Sequence, residues 1–588
     1  MKTTTLITKP FITHKRIICM IHMVLILLSV LAILKSIFVS FDIDEGYAIA
    51  QSYRLLKGDR LFDQMWEPHQ LSAFFSAIFM FPFLEITGGN TTGIIIYLRI
   101  IGTLIHLLIG LWLYSIARKQ FAPTFCILIT LAHINFLPKW VSTPEFEVMH
   151  YWAVSVLFLA LLSWNKEKSK KGYLLISSIA LFVAVMCYPT MIVLYPVYVV
   201  AIFYFTKENP HTRWSAVVWF TLPALILGIA FIGYLFSYMT FSELCENISY
   251  ILMDESHSNS LAYRFREYFS EMKTFILQLL LYMSVSFLLL KGIRKVLTVK
   301  GQDCTTISKA MISLMLLFTV MMLCMNQLIS SVLGDSNQFY LYFRYLAAIL
   351  LGLSCALYHK KENPEYILFG ILPGLFSVLA SVAITNMTLE IALARAYIGV
   401  IASCFIMANW IRTFAHKDIF IKSLVYTGSI LFLLSLLMCK LLLVRVTGCI
   451  PISVKMHMDQ VTDGPAAGLL LKEELAKVYN ENTAFLQEYV TSEDNLLIFG
   501  CENIYYLFSD SQIASPSTQG TSVFNKLYLQ YYESYPEKLP NVVILDKTFK
   551  SNPDYNYSGQ NQIMLDWIME EFKDAEMIET DNLILLRR

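Results

Sequence analysis

About thirteen runs of roughly 20 apolar residues recur along the chain, and they constrain its fold more than any single motif. A hydrocarbon core takes about 20 residues of helix to cross. Within it each backbone polar group must be satisfied inside its own segment, so the runs read as helices. They lie near 17–39, 94–117, 122–138, 148–164, 173–188, 190–206, 214–239, 274–290, 309–330, 340–358, 366–384, 389–411 and 419–445. Composition agrees: of 588 residues, 56% are hydrophobic and 15% charged, and the mean hydropathy is +0.56. A soluble chain of this length needs far less apolar residue. The net charge of +1 gives no bulk basic surface for nucleic acid. The first run follows Lys15 and Arg16 without a small-residue cleavage site, so it reads as an uncleaved membrane helix.

One further apolar segment, 71–86, is short and carries Pro82 and Glu85. Charge decides its reading, because cytoplasmic loops carry the excess of Lys and Arg. If 71–86 does not span, the basic clusters fall on one side together with the N-terminus. These are Arg118-Lys119, Lys166 to Lys171, Lys207 with Arg213, Lys291 to Lys300, Lys360-Lys361, and Arg412 with Lys417. The segment is therefore expected to be juxtamembrane or re-entrant. The N-terminus then lies inside and the C-terminus outside, in a multi-pass protein of the cytoplasmic membrane. The outer loops are about 40–93, about 139–147 and about 240–273, with short ones at Asp335-Ser336-Asn337 and Thr385-Asn386-Met387.

The composition changes after Arg445. Residues 1–447 read as the membrane module and 448–588 as a small extracytoplasmic α/β domain. A long amphipathic stretch, about 465–491, precedes strand-like Leu496 to Phe499. Val542 to Leu545 and Leu583 to Leu586 flank a helical pattern near 560–573. The eleven cysteines show no C-x-x-C and no metal-ligand spacing. A Cys449–Cys501 bridge is open to the chain if that side is oxidising.

The first outer loop carries the acidic cluster Asp42-Ile43-Asp44-Glu45. Carboxylates at the mouth of a membrane bundle are costly to keep without a use. Residues 46–57 have helical periodicity and suggest an interfacial helix on the outer leaflet, with Asp44 as its N-cap and Gly58-Asp59 as its end. Glu67 and His69 stand just before the apolar segment; as a lone pair they also fit a surface turn.

Asp44-Glu45-Gly46-Tyr47, Gly58-Asp59-Arg60-Leu61-Phe62 and Glu67-Pro68-His69-Gln70-Leu71 together resemble the first outer loop of GT-C membrane glycosyltransferases. The resemblance is to the bacterial branch related to protein mannosyltransferases and the aminoarabinose transferase of lipid A. It continues in Arg99, Thr143-Pro144-Glu145 and Cys187-Tyr188-Pro189-Thr190, and in tail segments 499–505 and 540–546. The strong part covers about 40–190. The resemblance implies a GT-C-like polytopic α-helical fold with a C-terminal α/β domain. It also implies transfer of a sugar from a polyprenyl-phosphate donor to a lipid, glycan or protein acceptor. The family's loop-one aspartate maps onto Asp44, beside Glu45. Its second acidic site maps onto Glu145, or less well onto Glu147. Where the aminoarabinose branch has Lys after the later Glu, this chain has Pro68, and where that branch has Arg, this chain has Tyr47. Donor contacts therefore do not carry over from it.

The chemistry fits these residue types in its own right. A phosphate leaves readily, whereas an acceptor hydroxyl needs a base, a role worth about 10²–10⁴-fold in rate. Asp44 is expected to be that base. Glu145 would orient the acceptor or share a divalent metal with Asp44. Carboxylates alone suit Mg²⁺ or Mn²⁺, and Glu67 with His69 would bring zinc within range. Arg54, Lys57 and Arg60 in the loop, and Arg344 and Arg395 in the helices, are candidates for the donor phosphate. The two helical arginines could instead pair with Asp335 or Glu390. Lys35 and Lys440 read as snorkelling side chains, and His106 and His133 as core histidines. Two other classes share the topology. One is a lipid-linked glycan transporter or flippase, which calls for charge deep in the bundle. The other is an envelope glycan polymerase or ligase, kept open by His257, Arg264 and Arg266.

Overall fold

A computed structural model describes residues 9–136, 141–208, 210–252, 260–299, 301, 304–335, 337–358, 363–384, 388–414, 418–445, 451–453, 457–500, 503–518, 525–547 and 560–588. Cys449, Cys501, His257, Lys300, Lys360, Lys361 and Lys417 lie outside the described residues, and so does the disulfide expectation. Among the described residues, eleven helices are long and apolar enough to cross a membrane. One of them, α3 (Gln70–Thr87), has both ends on the same face of the protein. Just before it, the Trp66 N–H donates to Pro516 O at 2.8 Å. Just after it, Thr91 Oγ1 donates to Leu507 O at 2.5 Å, and the Gly93 N–H donates to Gly464 O at 3.0 Å. All three acceptors belong to the C-terminal domain. Phe74, Ile78 and Phe81 form one exposed apolar stripe, while Ala73, Ser76, Ala77 and Met80 are buried on the other side. An 18-residue helix is about 27 Å long, and this one lies under the domain with its apolar stripe outward. Setting α3 aside and adding the shorter apolar helices Pro123–Asn135, Gly172–Cys187 and Pro189–Phe205 leaves thirteen candidate crossings, by length and composition, among the described residues.

In chain order the helices used below are α1 (Lys9–Phe38), α2 (Ile43–Leu56), α3, α4 (Ile94–Arg118), α5 (Pro123–Asn135), α6 (Phe146–Lys166), α7 (Gly172–Cys187), α8 (Leu194–Phe205), α9 (Pro210–Leu235), α10 (Phe241–Leu252), α11 (Leu261–Val299), α12 (Met311–Leu333), α13 (Gln338–Ala356), α14 (Leu372–Ile384), α15 (Tyr397–Thr413) and α16 (Ile419–Leu442). A π turn, Ile367–Ile371, leads into α14, and a 3₁₀ turn, Leu393–Ala396, leads into α15. The described residues of 240–273 are mostly helical rather than loop: they hold α10 and the start of α11. At 39 residues, α11 is about 58 Å long and projects well beyond a hydrocarbon core of about 30 Å.

The C-terminal region forms a five-stranded sheet in the order β6-β5-β7-β9-β8. Its strands are β5 (Asn495–Phe499), β6 (Gln512–Ile513), β7 (Val542–Asp546), β8 (Glu576–Glu579) and β9 (Leu583–Arg587). Two hairpins precede it, β1 (Leu443–Arg445) with β2 (Pro451–Ser453) and β3 (Met458–Gln460) with β4 (Leu470–Lys472). The central strands are buried on both faces, which is why they read as unbroken apolar runs. Leu497, Phe499, Val543 and Leu545 face a core with Trp66 and the helix Asn525–Ser534. Leu496, Ile498, Val542 and Ile544 face a core that also takes in Ile49, Ala50 and Tyr53 of α2 and Ile94, Ile95 and Leu98 of α4. The domain's hydrophobic cores thus take in side chains of the membrane module as well as its own.

That shared core corrects the reading of 46–57. Residues Tyr47 to Tyr53 of α2 are buried, so α2 lies between α3 and the C-terminal domain rather than on a lipid surface. The physical reason is the domain itself, which covers the face that amphipathicity alone would give to the membrane.

Candidate active site

Three segments of chain meet at the domain-facing end of the bundle. Asp42, not Asp44, caps α2: its Oδ1 accepts from the Asp44 N–H at 3.0 Å, and Glu45 Oε2 accepts from the Asp42 N–H at 3.5 Å. This is a capping box shifted two residues upstream of the expected cap. Asp42 and Glu45 are both fully buried. Asp44, in the first turn at the positive helix end, is the part-exposed carboxylate of the three.

Glu45 is held by Arg99. Nε donates to Oε1 at 2.8 Å and Nη2 to Oε2 at 2.6 Å. The remaining Arg99 donors go to the carbonyls of Ser36, Ile37 and Ser40 at 3.1, 3.1 and 2.7 Å. Thr143 also donates to Glu45. This bond ties the start of α2, where Asp44 stands beside Glu45, to the second loop that carries Glu145. Glu45 therefore positions the site, and its carboxylate is committed to these partners rather than open as a catalytic acid. Glycine is required at 102 for the same packing. A Cβ there would stand 1.6 Å from the Ser142 carbonyl oxygen, so only glycine lets α4 approach the second loop this closely.

Glu145 caps α6, with Oε2 accepting from the Glu147 N–H at 2.9 Å and Oε1 from the Val148 N–H at 2.8 Å. One turn on, Glu147 faces Arg395, whose Nη2 lies 3.5 Å from Oε1. Arg395 does not pair with Glu390; its guanidinium stands over the Tyr188 ring at 4.3 Å. His69, in a left-handed conformation with φ of 60°, stacks on Phe146 at 4.0 Å and meets Tyr188 edge-on at 5.3 Å. The Tyr47 hydroxyl and the Gln51 amide both donate to Pro68 O at 2.7 Å, fixing the His69 segment against α2. Carboxylates, a guanidinium and aromatic faces thus share one mouth, formed by the starts of α2 and α6, the start of α3, Tyr188 and the turn before α15.

The other loop-one candidates turn away from this mouth. Arg54 is fully buried and bound to Asp59 at 2.5 Å, Glu67 at 3.5 Å, Pro516 O at 3.2 Å and Tyr531 Oη at 3.1 Å. Glu67 accepts from the Thr518 N–H at 2.8 Å and its hydroxyl at 2.9 Å. Burial raises the Glu67 carboxyl above its ordinary range, against the pull of Arg54 and Thr518. Lys57 pairs with Asp510. Arg60 lies on the Tyr238 ring at 5.3 Å. Arg54, Lys57 and Glu67 weld loop one to the C-terminal domain, which corrects the phosphate reading of Arg54 and Lys57 and the ligand reading of Glu67, whereas the Arg60 side chain stays 55% exposed. Sequence spacing could not reveal this, because Pro516, Thr518 and Asp510 are more than 400 residues away and Tyr238 lies just past α9.

Arg344 lies deeper, in α13, and is fully buried without an acidic partner among the described residues. Asp335 does not pair with it. Lys440 is likewise buried rather than snorkelling, and Lys35 donates to Leu443 O. His106 Nε2 contacts His133 O at 3.0 Å and His133 Nδ1 the Tyr397 hydroxyl at 2.5 Å, the environment of core histidines. His150 and Phe146 join the mouth without having been singled out from sequence. The Glu147-x-x-His150 spacing, which puts both on one face of α6, was the available signal. Among the described residues no three His, Cys, Asp or Glu side chains converge well enough to hold a metal ion. A metal shared by Asp44 and Glu145 would have to complete its shell with water or substrate oxygens.

No protein-family model matches the sequence, and no curated protein matches it. Among solved structures, the chain is similar to the Archaeoglobus fulgidus oligosaccharyltransferase complex with Zn and sulfate. The identity is 11% and the TM-score 0.45, over 90% of this chain and 68% of that one. The archaeal oligosaccharyltransferase AglB from the same organism, in complex with an inhibitory peptide and a dolichol-phosphate, matches at 11% and 0.43 over 90% and 70%. ArnT from Cupriavidus metallidurans in the apo state matches at 11% and 0.39, over 98% of both chains.

Proposed function

We propose that this protein is a membrane glycosyltransferase that moves a sugar from a polyprenyl-phosphate donor to an acceptor hydroxyl at the outer face of the cytoplasmic membrane. The observation that supports the reading is the mouth itself: Glu145 and Glu147 stand with Arg395 and the rings of His69, Phe146 and Tyr188, and Asp44 lies beside Glu45, which Thr143 ties to the same loop. The loop-one motifs shared with GT-C transferases point the same way. Asp44 is the part-exposed acid of its cluster and takes the acceptor proton as the glycosidic bond forms. Glu145 and Glu147 orient the acceptor. Arg395 neutralises the leaving phosphate with a planar fork suited to oxyanions. The aromatic faces give the sugar ring flat apolar walls. Support for the outer-face reading comes from Arg118, Lys166, Lys168, Lys171, Lys207 and Arg412, which lie at the opposite ends of the helices from the mouth.

Membranes carrying the protein or its Asp44→Asn variant, given a panel of polyprenyl-phosphate sugars, test this by release of free polyprenyl phosphate. The wild type should release it, and the variant should do so about 10²–10⁴-fold more slowly. Equal rates would remove Asp44 from the reaction. No release from any donor by folded protein would overturn the transferase reading.

A further inference from the structure

At the end of the bundle opposite the mouth, the turn 167–171 between α6 and α7 lies against the turn 206–208 that follows α8. A cavity of about 310 Å³ stands between them, with Trp164, Lys168, Lys171, Glu208, Thr212 and Ser215 on its wall. That volume falls in the range of small-ligand pockets, about 300–1,000 Å³. Trp164 is buried and gives the cavity a fixed aromatic side. The Lys168 ammonium lies 6.0 Å from the centre of the Trp164 ring and donates to Phe205 O. That bond uses one of its three N–H donors. The Lys171 ammonium lies 5.6 Å from the centre of the exposed Trp219 ring. A ring face seats an ammonium without neutralising it. Glu167, beside Lys168 in sequence, is bound to Lys170 at 2.5 Å, and Glu208 offsets one of the two charges on the wall. The first turns of α9 bring Thr212 and Ser215 to the cavity, together with the positive end of the helix dipole. Apolar surface begins next to it. Leu175 stands one turn along α7 from Lys171, and Leu222 one turn along α9 from Trp219. Both are exposed, as are Ile179 and Val218, and the Ala224 N–H of α9 donates to Ser178 Oγ of α7 at 2.9 Å.

We infer that this cavity seats the headgroup of an anionic phospholipid from the leaflet opposite the mouth, with the acyl chains along the exposed sides of α7 and α9. Lys168 and Lys171 take the headgroup phosphate as point charges. Thr212, Ser215 and Glu208 meet the hydroxyls of a headgroup such as phosphoglycerol. Charge complementarity selects the class. Two ammoniums and a helix N-terminus against one carboxylate leave the wall net positive, and basic pockets between helices at a membrane surface favour anionic headgroups. Order along the helices selects a lipid over a free anion: the charged wall lies at the helix ends and the apolar columns start one turn further in, the sequence in which one lipid molecule presents its phosphate and its chains. The cavity is at the far end of the bundle from the mouth, so the inference stands or falls without the transfer reading.

The full-length protein in dodecyl maltoside is mixed with phosphatidylglycerol, phosphatidylcholine, phosphatidylethanolamine or glycerol phosphate, and bound molecules are counted by native mass spectrometry. Phosphatidylglycerol should bind at least about tenfold more tightly than either zwitterionic lipid. Lys168→Gln and Lys171→Gln should each reduce that preference about fivefold, and the two together should abolish it. Lys291→Gln with Lys295→Gln removes the same charge from exposed positions of α11 at the same membrane surface and should leave the preference intact. Ser215→Phe keeps both lysines and fills the cavity, so it should weaken phosphatidylglycerol binding to the level of the lysine variants. Equal affinity for the three lipids would overturn the inference, and so would a preference that survives loss of both lysines. An equal loss in the α11 variant would reduce the effect to general surface charge and refute the site. Unchanged binding by folded Ser215→Phe would refute it as well. Tighter binding of glycerol phosphate than of phosphatidylglycerol would make a free anion the occupant and overturn the lipid assignment.

Discussion

The Arg99–Glu45 pair gives the sharpest test of how this site is built. Every N–H of Arg99 is engaged: two by Glu45 and three by the carbonyls of Ser36, Ile37 and Ser40. Lysine offers three donors in place of five, so Arg99→Lys strands at least two buried acceptors, at about 1–3 kcal/mol each and so about 2–6 kcal/mol together. Arg99→Met goes further and leaves Glu45 as an unpaired buried charge, a loss of about 3–5 kcal/mol. Glu45→Gln alone leaves the opposite charge and should cost a similar amount. With both changes no charge remains unpaired, so the double variant should be more stable than the sum of the singles predicts by about 2 kcal/mol. Unfolding in mixed micelles, followed by SDS titration for the four proteins, supplies the cycle. Costs that add within about 0.5 kcal/mol would refute the claim that this pair is the joint between loop one and the second loop.

Other outcomes follow from the same geometry. Gly102→Ala drives a methyl group into the Ser142 carbonyl at 1.6 Å; it should cost about 1–3 kcal/mol in stability and, by moving Glu145, lower transfer activity, read in the polyprenyl-phosphate release assay. Burial raises the Glu67 carboxyl pKa, so its contribution to stability is fully present below the ordinary value of about 4.3 and is lost as pH rises through the raised value. Glu67→Gln, which does not titrate, should therefore gain in Tm relative to wild type as pH rises across that window. Lys57→Ala breaks a bridge to an Asp510 side chain that is 65% exposed, and its effect on Tm should correspond to no more than about 1 kcal/mol. Arg395→Lys keeps a charge near Glu147 but loses the fork over Tyr188. It should lower kcat more than it raises KM for the donor if the contact strengthens as phosphate leaves.

The apolar runs determined a polytopic helical protein by themselves, because lipid leaves the backbone no other way to satisfy its hydrogen bonds. Charge bias set 71–86 apart from the other apolar runs, and the chain on either side of α3 reaches the C-terminal domain. Strand positions in the tail were equally legible, since strands buried on both faces show as unbroken apolar runs. Asp44, Glu145, Glu147, His69 and Arg395 could be singled out as acids, a base and a cation at helix ends, but nothing local said that Glu147 meets Arg395 or that His69 stacks on Phe146. The tertiary structure decided that. It moved the cap from Asp44 to Asp42, a difference of half a helical turn that periodicity does not resolve. It also took Arg54, Glu67 and Lys57 out of the candidate site, since their partners Pro516, Thr518 and Asp510 lie hundreds of residues downstream. A charged side chain in a loop has the same appearance in sequence whether it awaits a ligand or closes an interface, and only the fold brings up the opposite charge that tells the two apart.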